Sequence, residues 1–214
     1  HQYTMDHNIE WIGIAPWLQN RGLAQYVRSG GELWSDPRWF APMIEGIDFG
    51  VFTFTFRNCL GGCKEDSVES RDEWILDAVT AIESAASFNT IDNNRVLVVG
   101  TSIGADAAVN ACARLIDSED VTCIGVVSLS PGSYLGEAYE EKAKELTDAG
   151  IPVRCVAAEE DTLSAETCQS VEAEGYESII TEGSAHGIRL FDPSLSIDLT
   201  ALLQGWLVEW AYGK

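Results

Sequence analysis

Positive charge is what this chain has least of. Its 214 residues carry 13 Lys and Arg against 34 Asp and Glu, a formal net charge of −21. Such a surface repels phosphate backbones and anionic membranes, which argues against nucleic acid as a partner. Histidine is nearly as scarce, with three residues, and no cysteine pair has C-x-x-C spacing, so no zinc site is expected. Long apolar runs are missing too. Nothing reaches the run of about 18 apolar residues that a membrane-spanning helix needs. The Gly-rich "CLGGC" lacks the Gly-Lys-Ser/Thr ending of a phosphate loop. No repeat or low-complexity linker breaks the chain.

What remains is ordinary globular material, 46% hydrophobic and 22% charged. A chain of this length is expected to form one domain, residues 1–214, around a real core. A monomer is the expected state. The acidic excess reads as solubility, in a secreted or a salt-adapted protein. The chain opens on His1-Gln2-Tyr3 rather than Met, which fits a processed start with any signal peptide outside this sequence.

The six cysteines fall into three local pairs, Cys59/Cys63, Cys112/Cys123 and Cys155/Cys168. In a cytosolic protein they would be buried thiols. The even count, the local pairing and the acidic surface favour disulfides and an extracytoplasmic compartment. Spacing cannot decide between the two, because only geometry brings Cα atoms within bonding reach.

Strand-like and helix-like stretches alternate along the chain. "IEWIGIA" (9–15), "GLAQYV" (22–27) and the aromatic, β-branched "GVFTFTF" (50–56) read as strands. Residues 70–88 repeat apolar side chains at helical spacing, with Ser70 and Glu73 as a capping box. "RVLVVG" (95–100) has the wholly apolar character of a central parallel strand covered on both faces. Beyond it, helix "IGADAAVNACARLI", strand "CIGVVSLSP", helix "AYEEKAKELTDAG" and strand "PVRCVAAEED" follow. Helix "SAETCQSVEAEG", strand "YESIITEG" and a last helix over 194–213 complete the chain. In that last helix Trp206 and Trp210, at i and i+4, are expected to pack on the sheet. The pattern is that of an α/β protein with a mostly parallel sheet.

"VLVVGTSIGADAAV" (96–109) places Ser102 between a buried strand and a small-residue helix. Chance supplies Gly-x-Ser-x-Gly in roughly one chain of this size in fifteen, so the pentapeptide is not decisive alone. Its position adds weight. A tight strand-to-helix turn exposes a serine oxygen at the sheet edge, and Gly100, Gly104 and Ala105 suit its steric demand. The helix start offers backbone N–H groups, that of Ile103 first, to a developing oxyanion.

A serine nucleophile needs a base, and the base a third group to orient it. His1 and His7 are N-terminal, leaving His186 in "EGSAHGIRL", behind a short strand. The acid should come between them in chain order, and Glu159, Glu160 and Asp161 all stand at a strand's end. Burying three charges together is prohibitively costly, so two of them should be solvated. Asp161, furthest from the strand, is the preferred partner.

These residues resemble the α/β-hydrolase superfamily, and within it the small, lid-poor esterases similar to dienelactone hydrolases. The likeness runs from about Trp39 to His186 and rests on "VVGTSIGA", "VAAEED" and "GSAHG" in order at strand ends. It implies a compact three-layer α/β-hydrolase sandwich without a large lid domain. It maps Ser102 as nucleophile, Asp161 as acid and His186 as base, with no metal or organic cofactor. The implied activity is hydrolysis of short-chain or accessible carboxylic esters. A thioesterase, acyltransferase or peptidase could use the same triad, and so could a non-catalytic relic retain it.

Two departures stand out. Dienelactone hydrolases carry a cysteine nucleophile, and their first oxyanion donor follows a His-Gly or His-Met pair that this chain lacks. Counting back from Trp39 puts that donor at the N–H of Tyr26, whereas strand quality favours "GIAPW" and Trp17. The N-terminal part is short, which implies a smaller sheet than usual. Tyr134 in "PGSYLG" is a candidate pocket residue or an exposed turn, and Phe191 an acyl-pocket or a core residue. Arg57 could grip a substrate carboxylate or belong to a structural ion pair.

Overall fold

The computed structural model describes residue 11 and residues 14–18, 25–27, 33–35, 49–57 and 68–213. In chain order the elements are α1 (Ala15–Leu18), β1 (Gln25–Val27), β2 (Leu33–Ser35), α2 (Val68–Ala86), β3 (Val96–Thr101) and α3 (Ile103–Arg114). There follow β4 (Cys123–Leu129), α4 (Tyr139–Asp148), β5 (Val153–Ala158), α5 (Thr162–Gln169), β6 (Tyr176–Thr181), a 3-10 turn (Gly187–Phe191) and α6 (Leu199–Tyr212).

Strands β3-β4-β5-β6 form a four-stranded parallel sheet in sequence order, each joined to the next by one helix. Apolar side chains alternate between its two faces, and each face carries its own core. One core collects Trp74 and Ile75 of α2, Val109 of α3, Leu146 of α4 and Cys168 of α5. The other collects Ile14, Leu18, the 3-10 turn and Leu199, Leu203, Trp206 and Leu207 of α6. The result is the expected three-layer α/β sandwich. Only α4 and its entry loop lie between β4 and β5, so no lid occupies that connection.

The last helix packs as its tryptophans indicate. Trp206 and Trp210 stack with ring centroids 6.3 Å apart, and Gly125 of β4 leaves the room that the Trp210 ring fills. Asp198 caps α6 by accepting the Ala201 N–H at 3.1 Å, and Gly213 closes it at φ 63°. Gly150, at φ 81°, ends α4 in the expected way.

Several expectations need correction. The 9–15 stretch is not a strand where it is described: Trp11 is helical and Ala15–Leu18 is a helical turn. It buries Ile14 and Leu18 four residues apart, a helical spacing that the apolar content of the stretch concealed. Of "GLAQYV", Gln25–Val27 is a strand, but it pairs antiparallel with Leu33–Ser35 in a separate two-stranded sheet.

Residues 50–56 form no strand ladder. Their aromatic rings are committed to α2 instead: Phe54 meets Phe56 edge-on at 4.9 Å, and Phe56 lies 6.1 Å from Trp74. The Trp74 indole N–H donates to the Arg57 carbonyl at 3.0 Å, fixing the end of the segment there. Among the described residues β3 is therefore an edge strand, only half-buried over Val96–Val99, rather than a central one.

The remaining differences concern element ends. Helix α2 starts at Val68, so Ser70 lies inside it and is no cap. Helix α5 stops at Gln169, and Gly175 at φ 85° turns the chain into β6.

Candidate active site

Ser102 stands where β3 becomes α3. Its backbone is held at φ 54°, ψ −123°, a region L-residues seldom occupy, and its N–H donates to the Leu129 carbonyl at 2.8 Å. The turn is so tight that a Cβ on residue 100 would overlap the Gly104 carbonyl and the Ala105 nitrogen. Glycine at 100 is thus a steric requirement of the turn. Strain of this kind persists only where the surrounding structure over-determines it.

His186 comes from the loop after β6, and Asp161 from the end of β5, where it immediately precedes α5. The His186 Nε2 lies 2.9 Å from Ser102 Oγ, and its Nδ1 lies 2.7 Å from Asp161 Oδ2. Three residues distant in sequence thus form a continuous hydrogen-bonded line at the C-terminal edge of the sheet, where ligands bind in open α/β folds. The side chain of Asp161 is 15% exposed and that of His186 26%. Glu159 and Glu160 are exposed, as solvated neighbours should be.

Ile103 is the first residue of α3, so its N–H has no acceptor within the helix and remains oriented at the turn. Tyr26 lies in β1, whose backbone runs beside the 3-10 turn that follows His186. Trp17 belongs to α1, and the described residues of the stretch on which its candidacy as a donor depended form no strand.

Tyr134 is half-buried, its hydroxyl directed at Ser164 and within the field of Asp161; burial raises its phenol above the usual range. Phe191 is 3% exposed and meets Trp11 edge-on at 6.2 Å, a core position. Arg57 is in the ion-pair arrangement: Nε and Nη2 donate to Asp77 Oδ1 at 2.9 and 2.6 Å, and Nη1 reaches Glu73 at 3.1 Å.

Two disulfides join Cys112 to Cys123 and Cys155 to Cys168, with Cα separations of 6.0 and 5.5 Å. Cys59 and Cys63 lie outside the described residues. A cavity of about 690 Å³ opens between residues 49–56 and β3 and touches Gly100 and Gly104, yet Ser102, His186 and Asp161 do not line it. The hydrogen-bonded line and this cavity do not coincide, and the line is the better guide to chemistry.

Two residues near the site escape a reading of the sequence by motif. Asp106, one turn after Ser102, is fully buried, and Ser130 is buried at the end of β4. The signal for Asp106 is there in hindsight: a lone carboxylate within "IGADAAVNACA", a run otherwise small and apolar.

No family model matches the chain, and no curated protein does. Among solved structures it is similar to the Pyrococcus furiosus esterase Pf2001 in two crystal forms. One gives a TM-score of 0.45 at 17% identity over 65% of this chain, which spans 62% of the length of that esterase. The other gives 0.46 at 18% identity over 72% of this chain and 68% of the esterase. A structure described as a thermophilic esterase gives 0.41 at 17% identity over 70% of this chain and 75% of its own. What Ser102, His186 and Asp161 can do follows from their own geometry.

Proposed function

We propose that the chain is a single-domain serine carboxylesterase of the α/β-hydrolase type, similar to dienelactone hydrolases in its compactness but with a serine nucleophile. One observation carries the reading: a strained serine at a strand-to-helix turn lies 2.9 Å from an imidazole that is itself 2.7 Å from a carboxylate. In this reading His186 Nε2 takes the Ser102 proton as Oγ attacks the ester carbonyl. Asp161 holds the Nδ1–H tautomer and stabilises the imidazolium. The Ile103 N–H and a donor from the N-terminal part, Tyr26 for preference, receive the oxyanion. The imidazolium protonates the departing alcohol. Water, activated by the same nitrogen, then releases the acid and restores Ser102.

The free β4–β5 connection supports short-chain or otherwise accessible esters as substrates, since no lid covers the sheet edge there. The two disulfides and the acidic surface support an extracytoplasmic location. No helix among the described residues is long and apolar enough to cross a membrane.

The test is hydrolysis of p-nitrophenyl acetate and butyrate by wild type and Ser102→Ala side by side. We expect kcat to fall by about 10⁶-fold, as when a serine nucleophile is removed from a working triad. A fluorophosphonate probe should label the wild type and not the variant. Preference for acyl-CoA over oxygen esters would redirect the assignment to a thioesterase, and failure of the probe to label wild type would end the enzyme reading.

A further inference from the structure

Between β4 and α4 the backbone twice enters a region that favours glycine, and neither residue is glycine: Ser130 has φ 56° and Ser133 φ 54°. Their hydrogen bonds explain what holds them there. The Ser130 N–H donates to the Val156 carbonyl at 2.9 Å, and its Oγ accepts the Gly187 N–H at 2.9 Å. Gly187 is the residue after His186. Ser130 itself is fully buried, so no water competes for that bond.

The next residues are anchored from the other side. Asp106 on α3 accepts the Gly132 and Ser133 N–H groups at Oδ1, both at 3.2 Å, and the Tyr134 N–H at Oδ2, at 2.5 Å. Ser133 Oγ in turn accepts the N–H of Tyr139, the first residue of α4, at 3.1 Å. A single segment therefore connects the helix that begins beside Ser102 to the loop that carries His186.

We propose that residues 130–134 form a brace, seated on Asp106, through which Ser130 fixes the backbone of the His186 loop and keeps the imidazole in reach of Ser102. The proposal rests on the serine-hydrolase reading given above. Ser130 and Asp106 touch no reacting atom and are positioning residues. Their contribution is to rate rather than to substrate affinity, since displacing a catalytic group by about 1 Å can cost roughly 10²-fold in turnover.

Ser130→Ala tests this cleanly, because alanine and serine place the same demand on the backbone and only the hydroxyl is lost. We expect kcat for p-nitrophenyl acetate to fall by about 10–50-fold with KM within about twofold. In a His186→Ala background the same substitution should change the residual rate by less than about twofold, because its effect passes through the imidazole. If Ser130→Ala does not fold, Ser130→Gly relieves the backbone, lacks the hydroxyl and should behave alike.

Amide exchange followed by NMR reads the brace without reference to catalysis. The Gly187 amide should be protected in wild type and exchange at least about tenfold faster in the variant, with the downfield His186 Nδ1–H signal broadened. Wild-type kcat in a folded variant, or an equal loss in the His186→Ala background, overturns the proposal. Should wild type hydrolyse no ester at all, the functional reading fails on its own. The brace then stands or falls with Gly187: an amide unprotected in wild type, or equally protected in Ser130→Ala, refutes it.

Discussion

Asp161→Asn tests the choice of acid among three neighbouring carboxylates. The Asp161 carboxylate lies 2.7 Å from His186 Nδ1, and both side chains are mostly shielded from solvent. In the serine-hydrolase reading, when Ser102 gives up its proton the imidazole becomes a cation beside that carboxylate. At an effective dielectric of about 20, unit charges at this separation attract by about 6 kcal/mol, and residual exposure reduces that to about 4–5 kcal/mol. Asparagine removes this attraction. It also presents an amide whose N–H can donate to Nδ1, favouring the tautomer with its proton on Nε2, where the lone pair should face Ser102. At about 1.4 kcal/mol per decade, kcat should fall by about 10³–10⁴-fold.

The assay is saturation kinetics on p-nitrophenyl acetate, with a thermal melt to show that the fold survives. Glu159→Gln and Glu160→Gln are the controls. Their side chains are exposed, and both variants should keep kcat within about twofold. If Asp161→Asn retains more than about a tenth of wild-type kcat, or if Glu160→Gln loses as much as Asp161→Asn, the assignment is refuted.

Three further outcomes follow from the same fold. Gly100→Ala forces a Cβ onto the Gly104 and Ala105 backbone, which cannot swing aside; a loss of about 2–3 kcal/mol, read as a Tm lower by about 5–10 °C, should accompany loss of esterase activity. The disulfides close sequence separations of 11 and 13 residues, so removing either by paired Cys→Ala substitution should cost about 3 kcal/mol in urea denaturation. Burial pushes the Asp106 carboxyl up to about 7 from its ordinary 3.8, against the pull of its three amide donors. Tyr134 and Tyr139 face it and are coupled to it. Because the folded state holds that proton longer than the unfolded chain, the stability of wild type relative to Asp106→Asn should fall as pH rises from about 4 to about 7. The full change is about 4 kcal/mol, level above pH 7, and a pH-independent difference in urea titrations would refute it.

The sequence was most readable from residue 95 onward. There β3, β4 and β5 are short, mostly apolar runs, helical stretches separate the strands, and glycines such as Gly150 mark the ends. Ser102 and His186 could be named because a strand-to-helix turn and a near absence of histidine leave few alternatives. Asp161 could be narrowed only to a run of three acids, since adjacent carboxylates at a strand end differ in direction rather than in type. The helix expected over 70–88 is also present, at Val68–Ala86, but in the stretches 9–15 and 50–56 the local signal misled. The alternation in "GVFTFTF" is real, but whether alternating aromatics complete a sheet or lie on a helix depends on partners distant in sequence, here Trp74. "IEWIGIA" is apolar enough for either state, and a stretch so short cannot settle its own period. Ser130 was illegible for a related reason: it bonds to a backbone amide, and backbone carries no sequence signature. The lone carboxylate of Asp106 stands out in its apolar run, but not which amides it meets.

The staples and the site share the same elements, and this bears on how so acidic a chain stays folded. Cys112 lies on α3, the helix that begins just after Ser102, and its disulfide ties the far end of that helix to the first residue of β4. Cys155 and Cys168 lie on β5 and α5, so the loop they close contains Asp161. A formal charge of −21 disfavours the compact state through self-repulsion, and the most exposed turns should open first. Both staples act on strand–helix units that deliver a member of the hydrogen-bonded line. The loop of the third member, His186, is spanned by neither of these two disulfides and is held by the Ser130 contact instead. Reduction should therefore loosen Asp161 and the helix that follows Ser102 before it disturbs His186. In the serine-hydrolase reading, activity should decline under mild reductant at temperatures where the sheet remains folded.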